Sequence, residues 1–191
     1  MDPATDPGWG PARADAFLLL IPLLRRRRLK KRSSAGDGLT VLRGYYLSYV
    51  MAIGMIGCVV VILETTAAEI RPSSEVFPLW VVVVAVGFAT LAASRVVTPP
   101  LPCESESDLA AGYRQRFFLQ IAFANVAALT GFMGVIMSAA GWMYPLGALF
   151  TAIGFAKLAP TAGNLRQDQE DLRRRGCTVS LMSALQLSES R

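Results

Sequence analysis

The residues best suited to chemistry in this sequence are two amides inside an apolar stretch. Gln120 and Asn125 lie within 22 consecutive uncharged residues, 117–138. A side-chain amide can bind an ion or a substrate, and it can equally hydrogen-bond a neighbouring helix, which contributes about 0.6 kcal/mol on average in a membrane. We predict intramembrane polar contacts at both positions and favour helix packing over a ligand role.

The composition removes most other kinds of active site. The chain has no histidine, and its three cysteines, Cys58, Cys103 and Cys177, are widely spaced. Nucleophile–base pairs and Cys/His zinc sites therefore lack a member. The apolar stretches carry no central charged residue of the kind that proton relays use. We predict a non-enzymatic protein without metal or cofactor, in which Cys103 and Cys177 are reduced cytoplasmic thiols and a disulfide is poorly supported.

Four apolar stretches dominate the chain. Of the 191 residues, 53% are apolar and only 17% are charged, and a helix of about 20 apolar residues crosses a bilayer. The sequence predicts an all-α integral membrane four-helix bundle, residues 44–158, between a disordered basic tail, 1–43, and a cytoplasmic helical tail, 159–191. The predicted spans are residues 44–63, 76–94, 117–138 and 142–158.

The positions of the basic residues predict the orientation. With the N-terminus inside, 18 of the 19 Lys and Arg residues lie on the cytoplasmic side, as the positive-inside rule requires. Both termini are then cytoplasmic, in the plasma membrane. The expected partners of the basic tail are anionic lipid headgroups rather than nucleic acid, bound through Arg25, Arg26, Arg27 and Arg28. A start codon assigned too far upstream is the alternative for residues 1–40.

Small residues form a stripe along the third span. Ala124, Ala127, Gly131 and Gly134 follow steps of three and four, which places them on one helix face. Helices associate in lipid through close packing of such residues. We therefore predict that this stripe meets another helix.

The C-terminal tail has the pattern of a capped helix. Thr161 can cap its start and Gly176 can end it. The apolar residues that follow, Leu181 and Leu185 among them, predict a segment that docks onto the bilayer or a partner.

Two local patterns resemble known families. Residues 122–137, AFANVAALTGFMGVIM, resemble the carboxylate-bearing helix of the ring-forming proteolipid subunit of rotary ATP synthases. Asn125 stands where that family has its ion-binding carboxylate. The resemblance implies similar helix packing without proton transport.

The layout also resembles small four-span bacterial membrane proteins of unknown function that share a cytoplasmic tail motif. This resemblance implies a plasma-membrane location and supplies no activity. We call the matching residues the tail motif: Ala159, Pro160, Thr161, Asn164, Leu165, Asp168 and Gln169.

Two functions fit these patterns. The leading hypothesis is an accessory or assembly subunit that binds another membrane protein, or a second copy of itself, through its helix stripes and cytoplasmic tail. The alternative is a small oligomeric channel or facilitator. Its lining would be Gln120, Asn125, Thr130 and Thr151.

Overall fold

The described part of the chain is helical. The computed structural model describes residues 8–10, 12–13, 38–66, 76–96, 99–103, 105–138 and 140–187, and no strand occurs among them. This confirms the all-α prediction at the level of helices. The helices are α1 (Gly38–Thr66), α2 (Val76–Val96), α3 (Glu106–Ser138), α4 (Met143–Leu158), α5 (Ala162–Arg174) and α6 (Leu181–Leu187).

Two of these helices are long and apolar enough to cross a membrane. They are α1 and α3, and a third span results if α4 and α5, which meet at a bend of 63°, are counted as one broken span. The apolar part of α2, Leu79–Ser94, is shorter. The helices thus have the lengths of a membrane protein, while the four-span arrangement remains a prediction.

Helices α1 and α3 extend beyond the predicted spans. Helix α1 begins at Gly38, inside the segment assigned to the N-terminal tail, and α3 begins at Glu106. The start of α3 is capped, because the Asp108 amide donates to Ser105 Oγ at 3.2 Å and the Leu109 amide donates to the Ser105 carbonyl at 3.0 Å. A serine cap followed by acidic residues in the first turn stabilises a helix start.

The chain divides into two compact units. Unit 1 comprises residues 1–50, 99–116 and 159–191, and unit 2 comprises residues 51–98 and 117–158. Helices α1 and α3 contribute residues to both units.

In unit 2, the backbones of α3 and α4 approach each other closely. A Cβ atom at Gly131 would lie 2.6 Å from the Met143 carbonyl oxygen, and one at Gly147 would overlap the Ala127 carbonyl oxygen. The remaining stripe residues also face α4, since Ala124 lies against Gly154 and Gly134 lies against the Met143 sulfur. All four stripe residues, Ala124, Ala127, Gly131 and Gly134, are therefore at the α3–α4 contact.

Aromatic residues complete the packing of unit 2. Helix α2 packs on α4, where the Phe88 and Phe150 rings meet edge to face at 5.1 Å and Gly87 leaves room for the Phe150 ring. Tyr144 of α4 lies over Gly57 of α1, and its hydroxyl donates to the Ile53 carbonyl. One buried cluster joins residues of α1, α3 and α4.

The outer faces of unit 2 are apolar. Large side chains on every helix of the unit are more than half exposed, among them Ile62 at 59%, Phe88 at 63%, Met137 at 66% and Leu149 at 57%. An apolar surface of this extent is typical of a chain whose solvent is lipid or whose surface is covered by a partner.

Unit 1 has its own apolar core, which includes the C-terminal segment. Leu181 and Leu185 of α6 are each only 1% exposed, as buried as Leu39 and Leu109. The prediction that this segment docks onto the bilayer or a partner is wrong at these residues, because they dock within the chain. The apolar side chains indicated that this segment is buried, but the sequence did not indicate which surface it packs on.

The α3–α4 contact can be tested with glycine substitutions. We expect Gly147→Ala to destabilise the protein by about 1–3 kcal/mol, because the added methyl group meets backbone that cannot rotate away. Gly54→Ala is the matched control, since a Cβ at Gly54 has no neighbour within 4 Å among the described residues. Unfolding in mixed micelles, followed by circular dichroism, measures both. Equal stability of the two variants would contradict the contact.

Candidate functional site

Thr151 hydrogen-bonds across the α3–α4 contact. Its side chain is 1% exposed. The hydroxyl donates to the Ala124 carbonyl at 2.7 Å and accepts from the Ala128 amide at 3.1 Å. Those two groups are four residues apart on α3, where a helix normally pairs them with each other. The Thr151 hydroxyl therefore joins α4 to the backbone of α3.

The two amides of α3 have different surroundings. Gln120 Nε2 donates to the Ser94 carbonyl of α2 at 3.4 Å, which is a contact between helices. Asn125 is half-buried, and no hydrogen bond joins its side chain to the described residues. The Thr130 hydroxyl donates to the Val126 carbonyl of its own helix at 2.8 Å. Gln120, Thr130 and Thr151 thus bond to backbone groups of α2, of their own helix and of α3, respectively.

The tail motif begins with a capped corner between α4 and α5. The Thr161 side chain accepts from the Asn164 amide at 3.3 Å, which caps the start of α5 as its sequence predicted. The Asn164 side chain in turn donates to the Ala159 carbonyl at 2.8 Å. The Asn164 amide at the start of α5 and the Ala159 carbonyl just after α4 have no partner in a regular helix, and these two bonds satisfy them.

A buried arginine completes this corner. Arg43 of α1 is 0% exposed, and its Nε donates to the Pro160 carbonyl at 3.1 Å while Nη1 donates to the Gly8 carbonyl at 2.7 Å. Its guanidinium lies 5.1 Å from the centre of the Trp9 ring, a cation–π arrangement. Residues 8–10 and 12–13, which the sequence analysis assigned to a disordered tail, thus belong to unit 1.

Asp168 and Tyr113 form a second polar contact of the tail motif. The Tyr113 hydroxyl donates to Asp168 Oδ2 at 3.1 Å. Burial raises the pKa of the Asp168 carboxyl, although Arg116 and the Tyr113 hydrogen bond oppose that increase. Burial and the Asp168 charge also raise the pKa of the Tyr113 hydroxyl, which therefore stays protonated. A carboxylate is held here at the junction of α3 and α5.

The last motif residue connects α5 to α6. Gln169 Oε1 accepts from the Leu181 amide, and Gln169 Nε2 donates to the Val179 carbonyl at 3.3 Å. Leu165, one turn before Gln169 on the same side of α5, is 4% exposed and belongs to the core. Every residue of the tail motif is therefore engaged within unit 1. The sequence signalled the motif only through resemblance, because its partners come from three distant segments.

A disulfide joins Cys103 to Cys177. Their Cα atoms are 5.6 Å apart and 74 residues separate them in sequence. The prediction of two reduced thiols without a disulfide is wrong for the structure, because the fold brings together cysteines that sequence spacing keeps apart. Cys58 is an exposed free thiol of α1.

The polar side chains of this site hydrogen-bond to other parts of unit 1. The described residues contain no group of three or more His, Cys, Asp or Glu side chains arranged to hold a metal ion. The predicted lipid contacts Arg25 to Arg28 lie outside the described residues. Comparison with protein families, with characterised proteins and with solved structures finds no match for this chain.

The Thr151 hydrogen bonds can be measured directly. We expect Thr151→Val, which keeps the shape and removes the hydroxyl, to lower the free energy of unfolding by about 0.6–1.7 kcal/mol. The matched control is Thr130→Val, whose lost hydroxyl bonded only its own helix. Unfolding in mixed micelles reports both values. A smaller loss for Thr151→Val than for Thr130→Val would show that the bridge between helices contributes nothing.

Asp168 should give the protein a specific pH dependence. Its pKa is raised by folding, so its contribution to stability is present below the ordinary pKa of 3.8 and is lost as the pH rises through the raised value. We expect Asp168→Asn to remove this loss. The slope of the unfolding free energy against pH should then differ from that of the wild type by less than about 1.4 kcal/mol per pH unit. Unfolding free energies measured at a series of pH values above 3.8 provide the test.

The control for Asp168 is Glu170→Gln, an exposed carboxylate on the same helix. Its substitution should leave the pH slope close to that of the wild type. An unchanged slope in Asp168→Asn would contradict the raised pKa.

Proposed function

We propose that this protein is a four-span plasma-membrane protein with both termini in the cytoplasm, and that it acts without catalysis as an accessory or assembly subunit of another membrane protein. The proposal depends on one observation: the polar side chains of the tail motif hydrogen-bond to other parts of the same chain. Other molecules would therefore bind to the surface of unit 1 rather than in a reactive pocket.

Two features support the four-span topology. Helix α2 has 21 residues and α4 has 16, both strongly apolar, and the outward faces of unit 2 suit lipid. Almost all basic residues lie on one side in this arrangement, which the positive-inside rule favours. Arg25 to Arg28 then lie beside the cytoplasmic leaflet, where each basic residue contributes about 1 kcal/mol to binding of anionic lipid.

The exposed face of α5 is the proposed contact with the partner. Arg166 and Arg173 lie seven residues apart and both are exposed, so they share this face. The opposite face, with Leu165 and Leu172, is buried in unit 1. Because α5 is held by the tail motif, this basic face is presented on an ordered helix, which lowers the entropy lost on binding.

The small-residue stripe of α3 is a poor candidate for the partner contact. Gly131 and its neighbours in the stripe already contact α4. A substitution such as Gly131→Leu therefore tests folding rather than association. The partner contact in the membrane is more reasonably placed on the outward apolar faces of α1 and α2.

Purification of the tagged full chain from its own membrane in mild detergent, with mass spectrometry of the bound proteins, tests the proposal. We expect a stoichiometric membrane partner whose recovery falls at least about tenfold, or 1.4 kcal/mol, in Arg166→Glu/Arg173→Glu. Gln115→Glu, a change of charge at an exposed residue of α3 outside this face, is the control and should keep the partner.

Recovery of the chain alone, or only with copies of itself, would overturn the accessory-subunit proposal. Liposome flux by the purified oligomer would then test the alternative of a channel. Flux that falls in Asn125→Leu would favour that alternative.

A further inference from the structure

The Cys103–Cys177 pair is built into unit 1 by two separate local structures. Cys177 follows Gly176, whose φ of 85° ends α5. The Cys177 amide donates to the Leu172 carbonyl at 3.1 Å and the Gly176 amide donates to the Arg173 carbonyl at 2.9 Å. These two bonds form a Schellman motif, which fixes the position of Cys177 independently of any disulfide.

Cys103 is positioned by the packing of its own segment on α3. Leu101 is buried, and Pro102 lies so close to Gly112 that a Cβ there would be 2.7 Å from the proline ring. A separate contact joins α6, which follows Cys177, to the start of α3, because Ser183 Oγ donates to Glu106 Oε1 at 3.1 Å. Both cysteines are thus positioned by contacts that do not involve the disulfide itself.

We propose that Cys103 and Cys177 form a reversible disulfide switch that fastens α6 to the segment preceding α3. This inference rests on the proposed topology, in which both cysteines face the cytoplasm. Disulfides there are seldom permanent, and those that form are usually transient or redox-sensing. A pair held at disulfide distance in a reducing compartment is therefore a modification site rather than a static brace.

The reaction is thiol–disulfide exchange with a low-molecular-weight disulfide as the oxidant. Cys103 is the half-exposed member and Cys177 is buried, so the Cys103 thiolate attacks the external disulfide and releases one small thiol. The Cys177 thiolate then attacks Cys103 Sγ in the mixed disulfide and releases the second small thiol. The two protons lost by the cysteines are taken up by the two released thiolates. A dithiol reverses both steps.

The consequence of oxidation is a covalent link between α6 and the start of α3. In the oxidised protein, α6 is tied through Cys177, while in the reduced protein the Gln169 and Ser183 hydrogen bonds and the burial of Leu181 and Leu185 must hold it. Reduction should therefore make opening of α6 easier and expose these apolar side chains more often.

Thiol trapping in membrane vesicles tests the switch. Inside-out vesicles in a Cys58→Ser background are treated with glutathione disulfide, acid-quenched and labelled with a high-mass maleimide. We expect two labelled thiols before treatment and none after it, with both restored by dithiothreitol. Cys103→Ser should leave Cys177 labelled or mixed with glutathione and form no internal disulfide.

Comparison of inside-out with right-side-out vesicles distinguishes a failure of the proposed topology from a failure of the switch alone. Oxidation of right-side-out vesicles alone would overturn the topology and the switch together, because the switch requires both cysteines to face the reducing cytoplasm. A disulfide already complete in freshly quenched cells and resistant to dithiothreitol without denaturant would overturn the switch and leave a permanent disulfide. Failure to oxidise on either side would also overturn it, and neither result depends on whether a partner co-purifies.

Hydrogen exchange provides the second measurement, made on the purified full chain in detergent. We expect the amides of α6 to exchange at least about tenfold faster in the reduced than in the oxidised protein, since the closed loop no longer restrains their opening. Equal exchange rates in the two states would overturn the link between the cysteine pair and α6.

Discussion

Gly131 and Gly147 allow the backbones of α3 and α4 to touch, and the packing of unit 2 depends on that contact. In lipid there is little hydrophobic gain from bringing helices together, so close van der Waals contact and hydrogen bonds between helices must supply the attraction. The Thr151 hydroxyl can reach both Ala124 and Ala128 only because the two backbones are this close. Met143 and Tyr144 then enter the same cluster at the start of α4.

Unit 1 is held by a different kind of interaction. Its polar side chains bond mainly to backbone groups at helix ends and corners, where the regular helix leaves partners unsatisfied. Arg43 is an example, because burial of a guanidinium costs free energy unless its N–H donors are hydrogen-bonded. Its bonds to Pro160 and Gly8 connect three segments of the chain. The tail motif is accordingly explained by structure, and it places the basic face of α5 at the surface.

The proposed partner contact and the proposed disulfide switch both involve α5. Helix α5 carries the exposed Arg166 and Arg173, and its C-terminal end carries Cys177 one residue beyond Gly176. A change in the state of Cys177 therefore acts at the end of the helix that we propose binds the partner. The proposed switch and the proposed partner contact therefore lie on the same helix or at its end.

The sequence by itself determined the helical class, the apolar segments and the cap at Thr161, because each depends on local composition or on neighbours a few residues away. The small-residue face of α3 was also readable, since periodicity along one helix defines it. Only the tertiary structure decided that α4 lies against that face and that Thr151 inserts into it. It likewise decided that Leu181 and Leu185 dock within the chain, that Arg43 and Trp9 meet, and that Cys103 lies beside Cys177. These contacts join residues far apart in sequence, and local pattern carries no information about which distant partner a side chain will find.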